Sequence, residues 1–128
     1  MTRRAILPTG TKTVGPYSPA IRAGDFLFIS GQIPLDPQGH GLLQGSIEDQ
    51  TRRCLDQIKE ILAAAGGTMD DLVKVTLYLT DMGDFEAVNR AYSAYFGAEP
   101  PARACLAVVA LPKGARIEIE AIAYLGQR

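Results

Sequence analysis

Histidine is almost missing from this 128-residue chain; the only one is His40, in the turn-forming run Gly39-His40-Gly41. No cysteine, histidine or acidic cluster surrounds it, so a metal centre is not expected, and most serine or cysteine triads lack their base. Cysteine is equally scarce. Cys54 and Cys105 lie far apart and form no Cys-x-x-Cys pair, which predicts two reduced thiols in a cytosolic protein. No apolar run approaches the ~20 residues of a membrane span, and Met1-Thr2-Arg3-Arg4 is not followed by an apolar core suited to export. Charge of one sign is lacking too: 13 Lys and Arg face 14 Asp and Glu, for a net charge of −1. That balance offers no general attraction to nucleic acid or anionic lipid, and the pairs Arg3-Arg4 and Arg52-Arg53 read as solvated surface charge. There is no internal repeat, linker, glycine-rich phosphate loop, Gly-x-Ser-x-Gly or His-Glu-x-x-His.

What is present is an ordinary globular composition, 47% hydrophobic and 21% charged, long enough for one domain over residues 1–128 with a real core. Residues 3–8 can form a short strand. Gly15-Pro16-Tyr17-Ser18-Pro19 is stiff because its prolines fix φ, and it holds Tyr17 either as a packed surface tyrosine or as a site residue. Ala20-Ile21-Arg22 and Phe26-Leu27-Phe28-Ile29-Ser30 flank Gly24-Asp25 as a hairpin, the second strand apolar on both faces like a central strand. Ser30-Gly31-Gln32 ends it with small groups. The Ser30 hydroxyl either satisfies backbone there or faces a ligand, which Gly31 would let approach. Ser46 and Asp49 cap a helix of about 20 residues with an apolar stripe that includes Cys54, stopped by Gly66-Gly67. Residues 73–80 alternate, with Val73, Val75, Leu77 and Leu79 on one face. Asp81 caps a second helix of about 14 residues whose apolar face carries Phe85, Val88 and Tyr92, with Asn89 beside it in need of hydrogen-bond partners. The order is β-β-β-α-β-α-β-β: an α+β, two-layer domain with two helices on one face of a mixed six-stranded sheet.

Residues 101–124 hold the sharpest question. They read as two strands joined by a turn at Leu111-Pro112-Lys113-Gly114, with Arg103 in the first and Glu118 and Glu120 on one face of the second. A buried guanidinium needs an anion. Residue types alone favour a salt bridge from Arg103 to Glu118 or Glu120 on the adjacent strand; the alternative is a ligand carboxylate gripped in a bidentate fork, with a glutamate handling water. Cys105 shares the parity of Arg103 and reads as positional, not nucleophilic. An arginine clamp plus one carboxylate suits hydrolysis of a small, already electrophilic anion.

Gly15-Pro16-Tyr17-Ser18-Pro19-Ala20, Ser30-Gly31-Gln32-Ile33-Pro34, Pro101-Ala102-Arg103-x-Cys105, Leu111-Pro112 and Ile117-Glu118-Ile119-Glu120-Ala121-Ile122-Ala123 together resemble the RidA/YjgF family over essentially the whole chain. The resemblance implies a chorismate mutase-like fold, a homotrimer with ligand sites between subunits, and cofactor-free hydrolysis of 2-imino acids and their enamine tautomers to 2-oxo acids and ammonia. By position it implies that Arg103 binds the substrate carboxylate, that Glu118 activates water and that the Cys105 backbone helps place the imine. Tyr17, Ser30 and Asn89 would line or support the cleft. Glu120 gains no role beyond structural charge balance. Ala104 stands where a hydroxyl residue is common. Two other readings stay open: a non-catalytic small-carboxylate binder or chaperone-like protein, and a translation inhibitor or endoribonuclease.

Overall fold

The structure, a computed structural model, describes residues 2–9 and 15–126. Alternation with period two dictates its main layer. Leu27 and Ile29 in β3 (Phe26–Gln32), Val75, Leu77 and Leu79 in β4 (Leu72–Leu79), and Ile117, Ile119, Ala121 and Ala123 in β6 (Ile117–Tyr124) all turn to one face and are buried. Against that face packs α1 (Ile47–Ala64), with Cys54, Leu55, Ile58, Ile61 and Leu62 buried, and beside it α2 (Phe85–Ser93), contributing Val88 and Tyr92. Fully burying one such aliphatic side chain is worth roughly 1.5–3 kcal/mol, so this single helix-covered face carries most of the hydrophobic stabilisation.

The six-stranded sheet runs β1-β2-β3-β6-β4-β5, with β1 at Arg3–Ile6, β2 at Ala20–Ala23 and β5 at Ala102–Ala107. The first three strands form an antiparallel meander; β6 pairs antiparallel with both β3 and β4, and β5 lies parallel to β4. The mixed sheet with its two helices follows from connection length: α1 carries the chain from β3 to β4, leaving room for β6 between them, and α2 carries it from β4 to its parallel neighbour β5.

The start of α1 is as the sequence predicts: the Ser46 hydroxyl accepts from Asp49 N at 3.0 Å. At its end Gly66 takes φ +84°, the left-handed conformation that stops the helix. The second helix is shorter than expected. Asp81 caps a 3-10 turn at Met82–Asp84, its carboxylate accepting from Gly83 N at 2.8 Å, and the α-helix proper begins only at Phe85.

Two further expectations are corrected. Strands β5 and β6 are not neighbours, because β4 lies between them and hydrogen-bonds to both. Nor is β3 apolar-buried on both faces: Leu27 and Ile29 are buried but Phe26 and Phe28 are 43% and 47% exposed, since no helix among the described residues covers the opposite face of the sheet. Phe26 contacts Tyr124 there with ring centroids 5.3 Å apart, so the uncovered face carries an apolar aromatic patch. No helix among the described residues is long and apolar enough to cross a membrane.

Candidate active site

Pro100 and Pro101 deliver the chain into β5, an edge strand, where Arg103 sits opposite Val75 and Cys105 opposite Leu77. Parallel partners share a face, so both side chains project to the helix side of the sheet. Phe85, Asn89 and Tyr92 stand on one face of α2 because they are spaced four and three residues apart. That face meets Arg103: its Nη1 donates to Asn89 Oδ1 at 2.7 Å, and its guanidinium carbon lies 5.6 Å from the Phe85 ring centroid and 4.9 Å from that of Tyr92. Among the described residues no carboxylate pairs with Arg103. The guanidinium is therefore oriented by one amide and two rings, with donors left over for an anion. Beside it opens a pocket of about 310 Å³ whose walls include Tyr92, Phe96, Pro100 and Pro101. Cys105 packs partly buried against the core, and burial raises its thiol above the ordinary range, an effect that the Arg103 charge opposes. Such a thiol is a poor nucleophile at neutral pH.

Glu118 and Glu120 have the opposite parity. They stand across from Tyr78 and Thr76 and project to the uncovered face. The predicted salt bridge to Arg103 is thus absent for two reasons, an intervening strand and the wrong side of the sheet. Glu118 lies against the end of β3, where the pairing register shifts between Ile29 and Gln32. Gly31 makes that approach possible: a Cβ there would stand 2.0 Å from Glu118 Oε2. Burial, and then the charge of Glu120, raise the Glu118 carboxyl above its ordinary value. No group among the described residues donates a hydrogen bond to it. Glu120, expected to balance charge, instead accepts from the Tyr78 hydroxyl at 2.5 Å.

Ser30 belongs to this second group. Its hydroxyl donates to the Ser18 carbonyl at 2.6 Å, while Ser30 N donates to the Pro19 carbonyl at 2.9 Å. The serine therefore satisfies backbone, and in doing so it ties the Tyr17 loop to the end of β3. Tyr17 N donates to the Gly15 carbonyl at 2.8 Å and its ring is half-exposed. The following loop is held by buried Gln57, which accepts from Leu35 N and donates to the Ile33 carbonyl, both at 2.9 Å.

Within one chain, then, Arg103, Asn89 and Cys105 come together at one edge of the helix side, and Ser30 and Glu118 come together with Gly31 on the other face, with Tyr17 tied to them. Phe85 and Tyr92 are expected from the sequence only as core positions of the second helix, and Tyr78 and Gln57 are not expected at a site at all. Phe85 and Tyr92 share helical spacing with Asn89, a usable signal, whereas the contact from Tyr78 to Glu120 is between residues 42 apart and had none. No group of three or more His, Cys, Asp or Glu side chains among the described residues is placed to hold a metal ion.

The α+β sheet thus carries an arginine with unused donors on its edge strand and, on the other face, a carboxylate seated at a bulge. A family model described as Endoribonuclease L-PSP matches residues 8–125, and the chain belongs to this family, the RidA/YjgF group of its sequence motifs. It is 56% identical over 113 residues to a RutC family protein of Pyrococcus horikoshii, covering 88% of this chain and 90% of that one. It is 45% identical over 113 residues to the 2-iminobutanoate/2-iminopropanoate deaminase of Mus musculus, covering 88% and 84%. The crystal structure of E. coli TdcF with bound serine superposes with a TM-score of 0.88 at 37% identity, covering 96% of this chain and 99% of that one.

Proposed function

We propose that this protein is a 2-imino acid deaminase acting on 2-iminobutanoate, 2-iminopropanoate and their enamine tautomers, with each site built between two copies in a homotrimer. One observation carries the reading. Among the described residues Arg103 is oriented but lacks a carboxylate partner, Glu118 has no donor, and the two sit on opposite faces of one sheet. A second copy can bring the Glu118 half of one chain to the Arg103 half of another, and it would cover the exposed Phe26 and Phe28. The name of the mouse relative and the amino acid bound to E. coli TdcF support a ligand of this size and charge.

Arg103 would hold the substrate carboxylate by its free donors. Glu118 would take a proton from water as the water oxygen attacks the imine carbon, giving a carbinolamine. Return of that proton to nitrogen lets the C–N bond break with its electron pair leaving on ammonia. The carbinolamine hydroxyl gives its proton to Glu118, which passes it to the departing ammonia, and becomes the carbonyl of the 2-oxo acid. Water and imine are consumed; oxo acid and ammonia are formed. Because the imine is already electrophilic, orientation and one proton shuttle suffice, and no cofactor enters the scheme. Cys105 contributes its backbone on the edge strand. Tyr17, Ser30 and Asn89 line or hold the cleft. The reading includes no membrane or nucleic-acid partner and a cytoplasmic place.

Subunit mixing tests it. Arg103→Ala and Glu118→Gln should each abolish accelerated ammonia release when a dehydratase supplies 2-iminobutanoate. Co-expressed mixed assemblies of the two inactive variants should regain activity, because an intersubunit site can draw Arg103 from one and Glu118 from the other. No recovery would place the site within one chain, and wild-type rates from Arg103→Ala would sink the deaminase reading.

A further inference from the structure

Glu118 and Glu120 leave β6 on the same face, about 6.6 Å apart along the strand. Tyr78 is the direct cross-strand partner of Glu118, yet its hydroxyl reaches past that residue and donates to Glu120 Oε1 at 2.5 Å. Glu118 is left with no donor among the described residues while the β3 backbone at Gly31 crowds its carboxylate. The phenol nearest the proposed base is thus turned away from it by the second carboxylate.

We propose that Glu120 is a positioning residue: by engaging the Tyr78 hydroxyl it keeps that hydroxyl off Glu118, so that the Glu118 carboxylate meets water uncapped. The inference rests on the reading of Glu118 as the water-activating group. A carboxylate that already accepts a phenol's hydrogen bond is a weaker base, because the bond favours its charged form and occupies a lone pair. Take away the acceptor at position 120, and Glu118 becomes the carboxylate within easiest reach of Tyr78.

The electrostatics run in the same direction. The bond to Glu120, with some burial, pushes the Tyr78 hydroxyl up to about 12, so at neutral pH it is a donor and not a phenolate. Glu118 faces Glu120 on its own strand and Tyr78 from β4; the Cys54 thiol of α1, which senses its charge, lies across the sheet. Strand β3 brings only Ser30 and Gly31, and Lys74 stands farther along β4, opposite Ile122. No cation among these groups offsets the two carboxylates.

The experiment compares Glu118→Gln, Glu120→Ala, Glu120→Gln and the double variant Glu120→Ala/Tyr78→Phe as full-length assembled proteins, with enzymatically generated 2-iminobutanoate, across the pH range. Glu118→Gln should lose about a hundredfold or more in kcat/KM, the size of a general-base contribution. Glu120→Ala should lose about tenfold, the effect of one hydrogen bond to a charged group. The double variant should recover most of that loss, since no hydroxyl remains to cap Glu118. Glu120→Gln keeps an acceptor for Tyr78 but removes a negative charge, so its plateau rate should hold while the acid limb moves to lower pH. Wild-type activity in Glu120→Ala, or a double variant as impaired as Glu120→Ala, overturns the proposal alone if Glu118→Gln is inactive. A fully active Glu118→Gln overturns the water-activating reading and this one with it.

Discussion

Arg103 and Glu118 lie on opposite faces of one sheet, with β4 between their strands. Among the described residues, Arg103 has no carboxylate partner and Glu118 no hydrogen-bond donor. Arg103 is steered by Asn89 and two aromatic rings, and Glu118 is seated against the backbone of Gly31. The consequences can be measured separately.

Gly31→Ala should separate fold from chemistry. The new Cβ would fall 2.0 Å from Glu118 Oε2, and the flexible end of that side chain can move aside, so circular dichroism should stay that of the native fold. Displacing the carboxylate by about 1 Å should cost roughly a hundredfold in kcat. Undiminished turnover would mean that the Glu118 position does not matter to the reaction.

Arg103→Lys keeps the charge and loses the planar fork. If the residue grips a carboxylate bidentately, KM for the imine should rise about tenfold or more, because an ammonium cannot reproduce the two parallel bonds. Asn89→Ala frees the guanidinium from its 2.7 Å bond and should raise KM in the same direction by a smaller factor. Steady-state kinetics on both variants checks the order.

Phe28→Asp tests whether the uncovered sheet face is an interface. Phe28 is 47% exposed in the single chain and points away from the helix-packed core, so the substitution should leave each chain's own core intact. If copies meet on this face as proposed, a charge placed in the buried contact should dissociate them. Sedimentation should then show single chains with native circular dichroism. A variant that assembles like the wild type would move the interface elsewhere.

Glu118 also makes stability depend on pH. Its carboxyl titrates above the ordinary 4.5 in the folded chain, first because of burial and then because of Glu120. In the interval above 4.5 and up to that raised value, the folded state holds a proton that the unfolded state has lost. Stability therefore falls as pH rises through that window and is greatest below it. Glu118→Gln should flatten this decline in denaturant titrations, and should be the more stable protein at neutral pH. An unchanged slope would show that Glu118 is well solvated in the assembled protein.

Much of this was legible along the chain because it depends on local geometry. Alternation over residues 75–79 and 117–124 settles which side chains share a face, since successive strand residues point in opposite directions. It fails at Val73, expected on the buried face but 43% exposed, because the pairing register shifts between Leu72 and Lys74. Ser46 with Asp49, and Gly66, mark helix ends through hydrogen bonds and backbone angles spanning a few residues. The same parity correctly grouped Arg103 with Cys105 and Glu118 with Glu120. What one strand's parity cannot say is how it relates to another's, because that depends on which strands pair across long separations. Only the tertiary structure placed β4 between β5 and β6, turned the arginine and the glutamates to opposite sides, and brought Tyr78 to Glu120 across 42 residues. Residues 101–124 read as one hairpin; the sheet order separates its two strands and turns Arg103 and the glutamates to opposite faces, because β4 pairs between them.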